Sequence, residues 1–351
     1  MSPMSALADR SRGLSTRALK SSGTAVRSLA VAGAVTAVAF PLGGAVPILG
    51  APIVALVLGM AVAAVRPLGG LRTGLGTVSR RSLQVAIVAL GATISAGQVL
   101  AVGSSSLPVM LGSLGAALLT AALLGPRLRV PERLRALVGV GTGICGASAI
   151  AAVSGVIGAH ERDVRYAIST IFAFNLVAVL LFPPLGHLLG LSQGSFGLWA
   201  GTAVNDTSSV VAAAFAYGHV AGAHALIVKL TRTTAIVPIS FALALAARRG
   251  RLGAQPGDAG VRPLRSVVPW FLVWFAAACA IDSLGLVGPS ARGALSHAGL
   301  ALTALALAAV GLGADFGEMR RTGGRPLLLG ALVWAVVTAT SITLQVLTGT
   351  A

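Results

Sequence analysis

Long apolar runs separated by short basic clusters make up most of this chain. Ser28–Val65, Ser82–Gly125, Ala136–Ala159 and Pro326–Ala351 contain no charged residue. Each exceeds the roughly 18 apolar residues needed to cross a hydrocarbon core about 30 Å thick. The pattern predicts eleven spans, near 28–45, 49–65, 82–103, 107–125, 136–158, 166–189, 196–216, 222–247, 266–288, 293–313 and 326–348. Pro41, Gly43, Gly44 and Pro47 form a tight turn or kink between the first two. The fold class expected is an all-α polytopic membrane protein with a single transmembrane domain, 28–351. Before it lies an arm, 1–27, with five basic residues, Arg10, Arg12, Arg17, Lys20 and Arg27, read as flexible and cytoplasmic.

Composition and charge agree with that pattern. Of the 351 residues, 56% are apolar and only 10% charged, against about 25% charged in soluble proteins. A net charge of +17 raises nucleic acid as a partner, since basic patches attract phosphate. The arginines are dispersed between the apolar runs instead, as cytoplasmic loops require, so no nucleic acid is expected. Inside clusters would be Arg66/Arg72/Arg80/Arg81, Arg127/Arg129/Arg133/Arg135, Arg248/Arg249/Arg251/Arg262/Arg265 and Arg320/Arg321/Arg325. Outside connections would include 103–106, 160–165, 217–221 and 288–292. The connection at Ser192–Gln193 falls inside in this scheme yet carries no charge. Cys145 and Cys279 both lie in apolar runs, which gives no disulfide framework.

Two internal similarities organise the chain further. Val88-Ala-Leu-Gly-Ala-Thr-Ile resembles Val310-Gly-Leu-Gly-Ala-Asp-Phe, and Pro108-Val-Met-Leu-Gly-Ser-Leu resembles Pro326-Leu-Leu-Leu-Gly-Ala-Leu. Separately, Gly141-Thr-Gly-Ile-Cys-Gly-Ala-Ser-Ala-Ile-Ala-Ala resembles Gly201-Thr-Ala-Val-Asn-Asp-Thr-Ser-Ser-Val-Val-Ala. Repeats with glycine-interrupted segments in matching places point to a transporter binding site.

The candidate site is built on those two motifs. Thr142, Gly143, Cys145, Gly146 and Ser148 supply small polar groups beside freed backbone; the competing reading is a small-residue packing face. Asn205, Asp206, Thr207, Ser208 and Ser209 form a polar run inside an apolar segment. An acid at membrane depth needs a proton, a partner or water. Lys229 and Arg232, three residues apart, share one helical face in mid-span. They serve either as an anion site, left net positive against the single acid Asp206, or as structural partners for that acid. Asp282 reads as interfacial, and Asp315 and Glu318 as part of a solvated cluster with Arg320 and Arg321. His187, His219, His224 and His297 form no metal-ligand motif. No P-loop, HExxH, GxSxG or dinucleotide fingerprint occurs. The chain is therefore not expected to be an enzyme, and neither a cofactor nor a metal is expected.

Thr142-Gly-Ile-Cys-Gly-Ala-Ser-Ala-Ile-Ala-Ala, Gly201–Ala213 and Val228-Lys-Leu-Thr-Arg, in that order and with Phe182-Pro-Pro-Leu-Gly-His between, carry a family resemblance. Across about 28–348 the chain resembles the bacterial inner-membrane proteins proposed to export sulfate. The Val310–Phe316 element before Pro326 is similar, more distantly, to the bile-acid/sodium symporter-like fold. These resemblances imply 10–11 membrane helices with inverted repeats and two broken helices crossing near the midplane. They also imply export of a small oxyanion, sulfate or sulfonate-like, with Asp206 tuning charge or binding a coupling sodium or proton. Two features depart from the symporter pattern: the crossing motifs are 60 residues apart, and both run the same way in the eleven-span scheme. Some members of the resembled family carry His-Glu where this chain has Asn205-Asp206. The expected partners are membrane lipid, a small anion, a coupling ion and further copies of the chain. The alternatives are an ion-coupled carrier of an organic solute, or a membrane scaffold or sensor that transports nothing.

Overall fold

A computed structural model describes residues 3–46, 50–66, 68–248, 270–314, 317 and 324–350. Arg249, Arg251, Arg262, Arg265, Asp315, Glu318, Arg320 and Arg321 lie outside the described residues. Among those described, every regular element is helical. Helix α1 spans Pro3–Ala45 and takes in much of the basic arm, so the arm read as flexible continues the first span as helix. No proline occurs between Met4 and Phe40 to stop it. Helix α2 is Gly50–Val65 and α3 is Arg72–Gly91. The span expected at 82–103 starts earlier and is broken: after Ala92–Ser95, α4 (Ala96–Ser105) leaves at 105° to α3. Side chains redirect the backbone there. Thr93 Oγ1 donates to Leu90 O at 2.7 Å, and Ser95 and Gln98 form a capping box for α4.

The remaining helices are α5 (Leu107–Arg127), α6 (Glu132–Gly143), α7 (Ala147–Val156), α8 (Glu161–Leu188), α9 (Gln193–Ala203), α10 (Thr207–Tyr217), α11 (His219–Thr233), α12 (Ile236–Arg248), α13 (Trp270–Ser283), α14 (Pro289–Leu312) and α15 (Gly324–Thr348). Six segments, Gly23–Ala45, Leu107–Arg127, Glu161–Leu188, His219–Leu243, Pro289–Leu312 and Gly324–Thr348, are long and apolar enough to cross a bilayer unaided. The broken α3–α4 pair makes a seventh if it counts as one span. This is a multi-pass membrane protein.

The helices form two groups. Helices α1, α2, α3 and α14 pack together around Ala32, Ala55, Leu75 and Ala304. Glycine sets the closest approach: a Cβ on Gly59 would lie 2.6 Å from Ala308 O of α14, so only glycine fits. The second group gathers α5 to α11 and α15 around Leu137, Ile171, Phe182, Trp199 and Val333. The repeat-related helices pack on each other, α3 on α14 and α5 on α15.

The segments 136–158 and 196–216, expected as passages, are helical hairpins. Arg133 Nη1, near the start of α6, donates to Gly158 O, just past α7, at 2.7 Å. In the second, Gln193 Oε1 at the start of α9 accepts from Val220 N and Ala221 N at 3.0 and 3.2 Å. Phe196 of α9 stacks on Tyr217 of α10 at 3.8 Å. Helix α8 separates the two hairpin bases, and its 28 residues make it about 42 Å long. The bases therefore lie at opposite ends of the molecule and the hairpins point towards each other. The two motifs thus enter from opposite faces, and this corrects the same-direction reading. It also puts 160–165, with its charges, on the face of Arg133, and the uncharged Ser192–Gln193 on the other.

Candidate functional site

The two hairpin turns meet at the centre of the second helix group. Helix α6 ends at Gly143 and α7 restarts at Ala147; α9 ends at Ala203 and α10 restarts at Thr207. Residue 143 matches 203 and 147 matches 207, the offset of 60 that the sequence similarity has. Gly146 takes φ +65 and ψ −129, a conformation open in practice to glycine. A Cβ there would lie 3.6 Å from Asn205 O, so the tips are in contact.

Each tip exposes one helix C-terminus and one helix N-terminus, and the protein treats them differently. Lys229 of α11 is fully buried, and its Nζ donates to Ile144 O and to Val204 O, both at 2.8 Å. These are the carbonyls that follow α6 and α9. One lysine thus satisfies both C-terminal ends, where unpaired carbonyls and the negative pole of the helix dipole lie. Arg232, also buried, donates through Nη1 to Thr202 O of α9. Its Nε and Nη2 have no hydrogen-bond partner among the described residues.

Asp206 does something else. Its Oδ2 accepts from Ser208 N at 3.1 Å and from Ser208 Oγ, which makes it the N-cap of α10. Among the described residues no ion pair joins it to Lys229 or Arg232. The alternative in which Lys229 and Arg232 are ion-pair partners for this acid is therefore corrected. The helix ends already engage both donors, and those carbonyls lie within the reach of α11. Helix α7 has no side-chain cap at its N-terminus.

Both N-terminal ends border a cavity of about 1220 Å³ between the two helix groups. Cys145, Ser148, Asp206, Thr207, Ser208 and Ser209 line it. Thr142, Gly143, Gly146, Asn205, Lys229 and Arg232 do not; they form the packed layer behind the tips. Sequence reasoning missed Asn175 of α8. Its Oδ1 accepts from Asn205 N at 2.9 Å and Asp206 N at 3.2 Å, fixing the second tip, and it lines the cavity. A lone asparagine within an apolar span was the available signal. Thr233 and Ser240 also line the cavity, as do Arg72, Ser79, Arg80 and Gln84 of α3.

The other ionisable residues lie elsewhere. Asp282 is buried and accepts from Arg292 Nε at 2.7 Å, pinning α13 to α14. His219 Nε2 contacts Ser296 Oγ at 2.5 Å, and His187 stacks on Tyr217. Among the described residues no three His, Cys, Asp or Glu side chains converge as a metal site would need.

Helices of this length, with half-spans turned inward from both faces, define a polytopic membrane protein with a central cavity. A model of the family described as Conserved hypothetical protein 698 matches residues 27–330, and the chain belongs to that family. A UPF0324 membrane protein of Streptococcus pyogenes serotype M6 is 41% identical over 321 residues, covering 89% of this chain and 94% of the relative. One of Streptococcus pneumoniae serotype 4 is 41% identical, covering 88% and 93%. A Clostridium tetani relative is 37% identical, covering 86% and 90%. No solved structure matches.

Proposed function

We propose that this protein is a secondary transporter that moves a small oxyanion, sulfate or a sulfonate-like compound, by alternating access. Export is the direction the family resemblance implies. The observation that carries the reading is the uncapped N-terminus of α7 at a tip bordering the cavity, beside Ser148 and Cys145. Helix N-termini hold anions through free N–H groups and the positive pole of the helix. In this reading Ser148 and the first turn of α7 contact the anion, with Thr207, Ser208 and Ser209 across from them. Lys229 and Arg232 hold the tips in place behind the site and leave the N-terminal end of α7 without a side-chain cap. Asp206 lowers the positive field at α10 or carries the coupling ion.

The test is flux of radiolabelled sulfate and of taurine-like sulfonates into proteoliposomes. Removing one hydrogen bond to an anion costs about 1.5–3 kcal/mol, so Ser148→Ala should weaken apparent affinity roughly tenfold or more. Wild-type vesicles that pass no oxyanion, or unchanged affinity in Ser148→Ala, would end this reading.

A second reading, an ion-coupled carrier of an organic solute, is favoured by Asp206 itself. Its carboxylate lines the cavity without an ion-pair partner among the described residues, as a sodium or proton site requires. Sodium-dependent thermal stabilisation by substrate, lost in Asp206→Asn, selects that reading over the first.

A further inference from the structure

Helix α3 carries the cavity away from the tips. Arg72, Gly76, Arg80 and Gln84 recur every four residues and all line it, with Ser79, Leu83 and Ile87 on the flank of the same stripe. Ile87 packs in one cluster with Val211 of α10 and Ile227 of α11, at the level of the hairpin tips. Arg80 is seven residues back along the helix, about 10 Å from that level, and Arg72 about 12 Å further out. The stripe thus runs from the tips to the cavity mouth. Arg72 and Arg80 are the cations on the cavity wall among the described residues, and Asp206 is the acid there. Arg80 and its sequence neighbour Arg81 are both exposed, but Arg81 does not line the cavity.

We propose that the α3 stripe, with Arg80 and Gln84 at its centre, is an anion-binding approach to the tip site and selects oxyanions by charge before they reach Ser148. A guanidinium presents a planar fork suited to a carboxylate, sulfate or phosphate group, and Gln84 one turn deeper offers an amide donor. Gly76 stands beside open space, which leaves room for a solute next to Arg80. The blander role for these arginines is to orient the protein in the membrane, which asks only for positive charge in the loop region. That role treats Arg80 and Arg81 alike. The stripe does not. The proposal rests on the cavity being an anion route, so its test must not depend on flux.

Ser148→Cys, placed in a Cys145→Ser, Cys279→Ser background, reports arrival at the tip. Purified protein is treated with an anionic (sulfonatoethyl) or cationic (trimethylammonioethyl) methanethiosulfonate, and the two labelling rates are compared. A unit charge about 10 Å away in water alters the local concentration of each reagent about twofold, in opposite directions. Arg80→Gln should therefore lower the anionic-to-cationic rate ratio by up to roughly fourfold, Arg80→Lys should largely restore it, and Arg81→Gln, whose charge lies off the cavity wall, should change it clearly less. Equal effects of Arg80→Gln and Arg81→Gln, or none from either, overturn the proposal even if oxyanion flux is normal. An intact ratio effect with no flux in wild-type vesicles leaves the stripe standing and ends the transport reading instead. The same ratios in phosphatidylcholine vesicles with and without phosphatidylglycerol separate the two sources of oxyanion. A stripe that serves dissolved anions keeps its ratio effect in both; loss of the effect when anionic lipid is added assigns it to lipid headgroups and overturns the proposal.

Discussion

Lys229 lies where a cation is most costly to bury, and the reason is local. Two helix C-termini end within reach of its Nζ, which donates to a carbonyl of each. Lys229→Met should orphan Ile144 O and Val204 O, at about 1–3 kcal/mol for each buried acceptor. Thermal unfolding in detergent should show a marked fall in Tm, whereas Ser148→Ala should leave Tm near wild type. A Lys229→Met protein with wild-type stability and lost anion affinity would return this lysine to the binding site. Asn175→Leu is a second case. It removes the acceptor for Asn205 N and Asp206 N and should destabilise the second tip without touching the first. Hydrogen exchange at residues 204–208 should rise, with residues 144–148 unchanged.

At the scale of elements, the hairpin turns depend on backbone freedom at one glycine. Gly146 holds φ +65 and ψ −129 at the start of α7, where a side chain is strained by about 1–3 kcal/mol. Gly146→Ala should lower Tm accordingly and disturb the contact with Asn205. The equivalent position on the second hairpin, Asp206, is extended at φ −93 and ψ 142. Most residues tolerate that conformation, so Asp206→Ala should lose only the cap, typically about 1 kcal/mol. A larger loss in Asp206→Ala than in Gly146→Ala would contradict this account of the turns. The sequence similarity of the two motifs matched the register of both breaks, since glycine and small polar residues interrupt a helix wherever they cluster. It did not tell a passage from a hairpin. Both have the same apolar length, and what separates them is whether the two halves pack on each other.

For the whole molecule, the hairpins change which segments share a membrane face. Single cysteines at Arg129 and His160 should react with a membrane-impermeant reagent from one side. Cysteines at Leu189 and Val220 should react from the other. Straight passages at 136–158 would put Arg129 and His160 on opposite sides, so intact spheroplasts and inside-out vesicles decide between the two. The arrangement also accounts for the charge pattern. Glu161–Arg165 joins the face of Arg133, and the uncharged Ser192–Gln193 leaves it.

The sequence by itself determined the membrane class, the helical content, the two related motifs and the residues at their centres. These follow from local quantities: apolar length, glycine spacing and the cost of a polar group in lipid. It also indicated that two cations would stand against one acid. Only the tertiary structure decided which cations. Lys229 and Arg232 are adjacent to the polar motif in sequence logic, but in space they face the ends of α6 and α9. Arg72 and Arg80, which read as loop charges, line the cavity because α3 begins before the expected span and faces the hairpin group across it. A side chain's partner depends on which helix ends converge on it, and that convergence is set by packing between segments far apart in the chain.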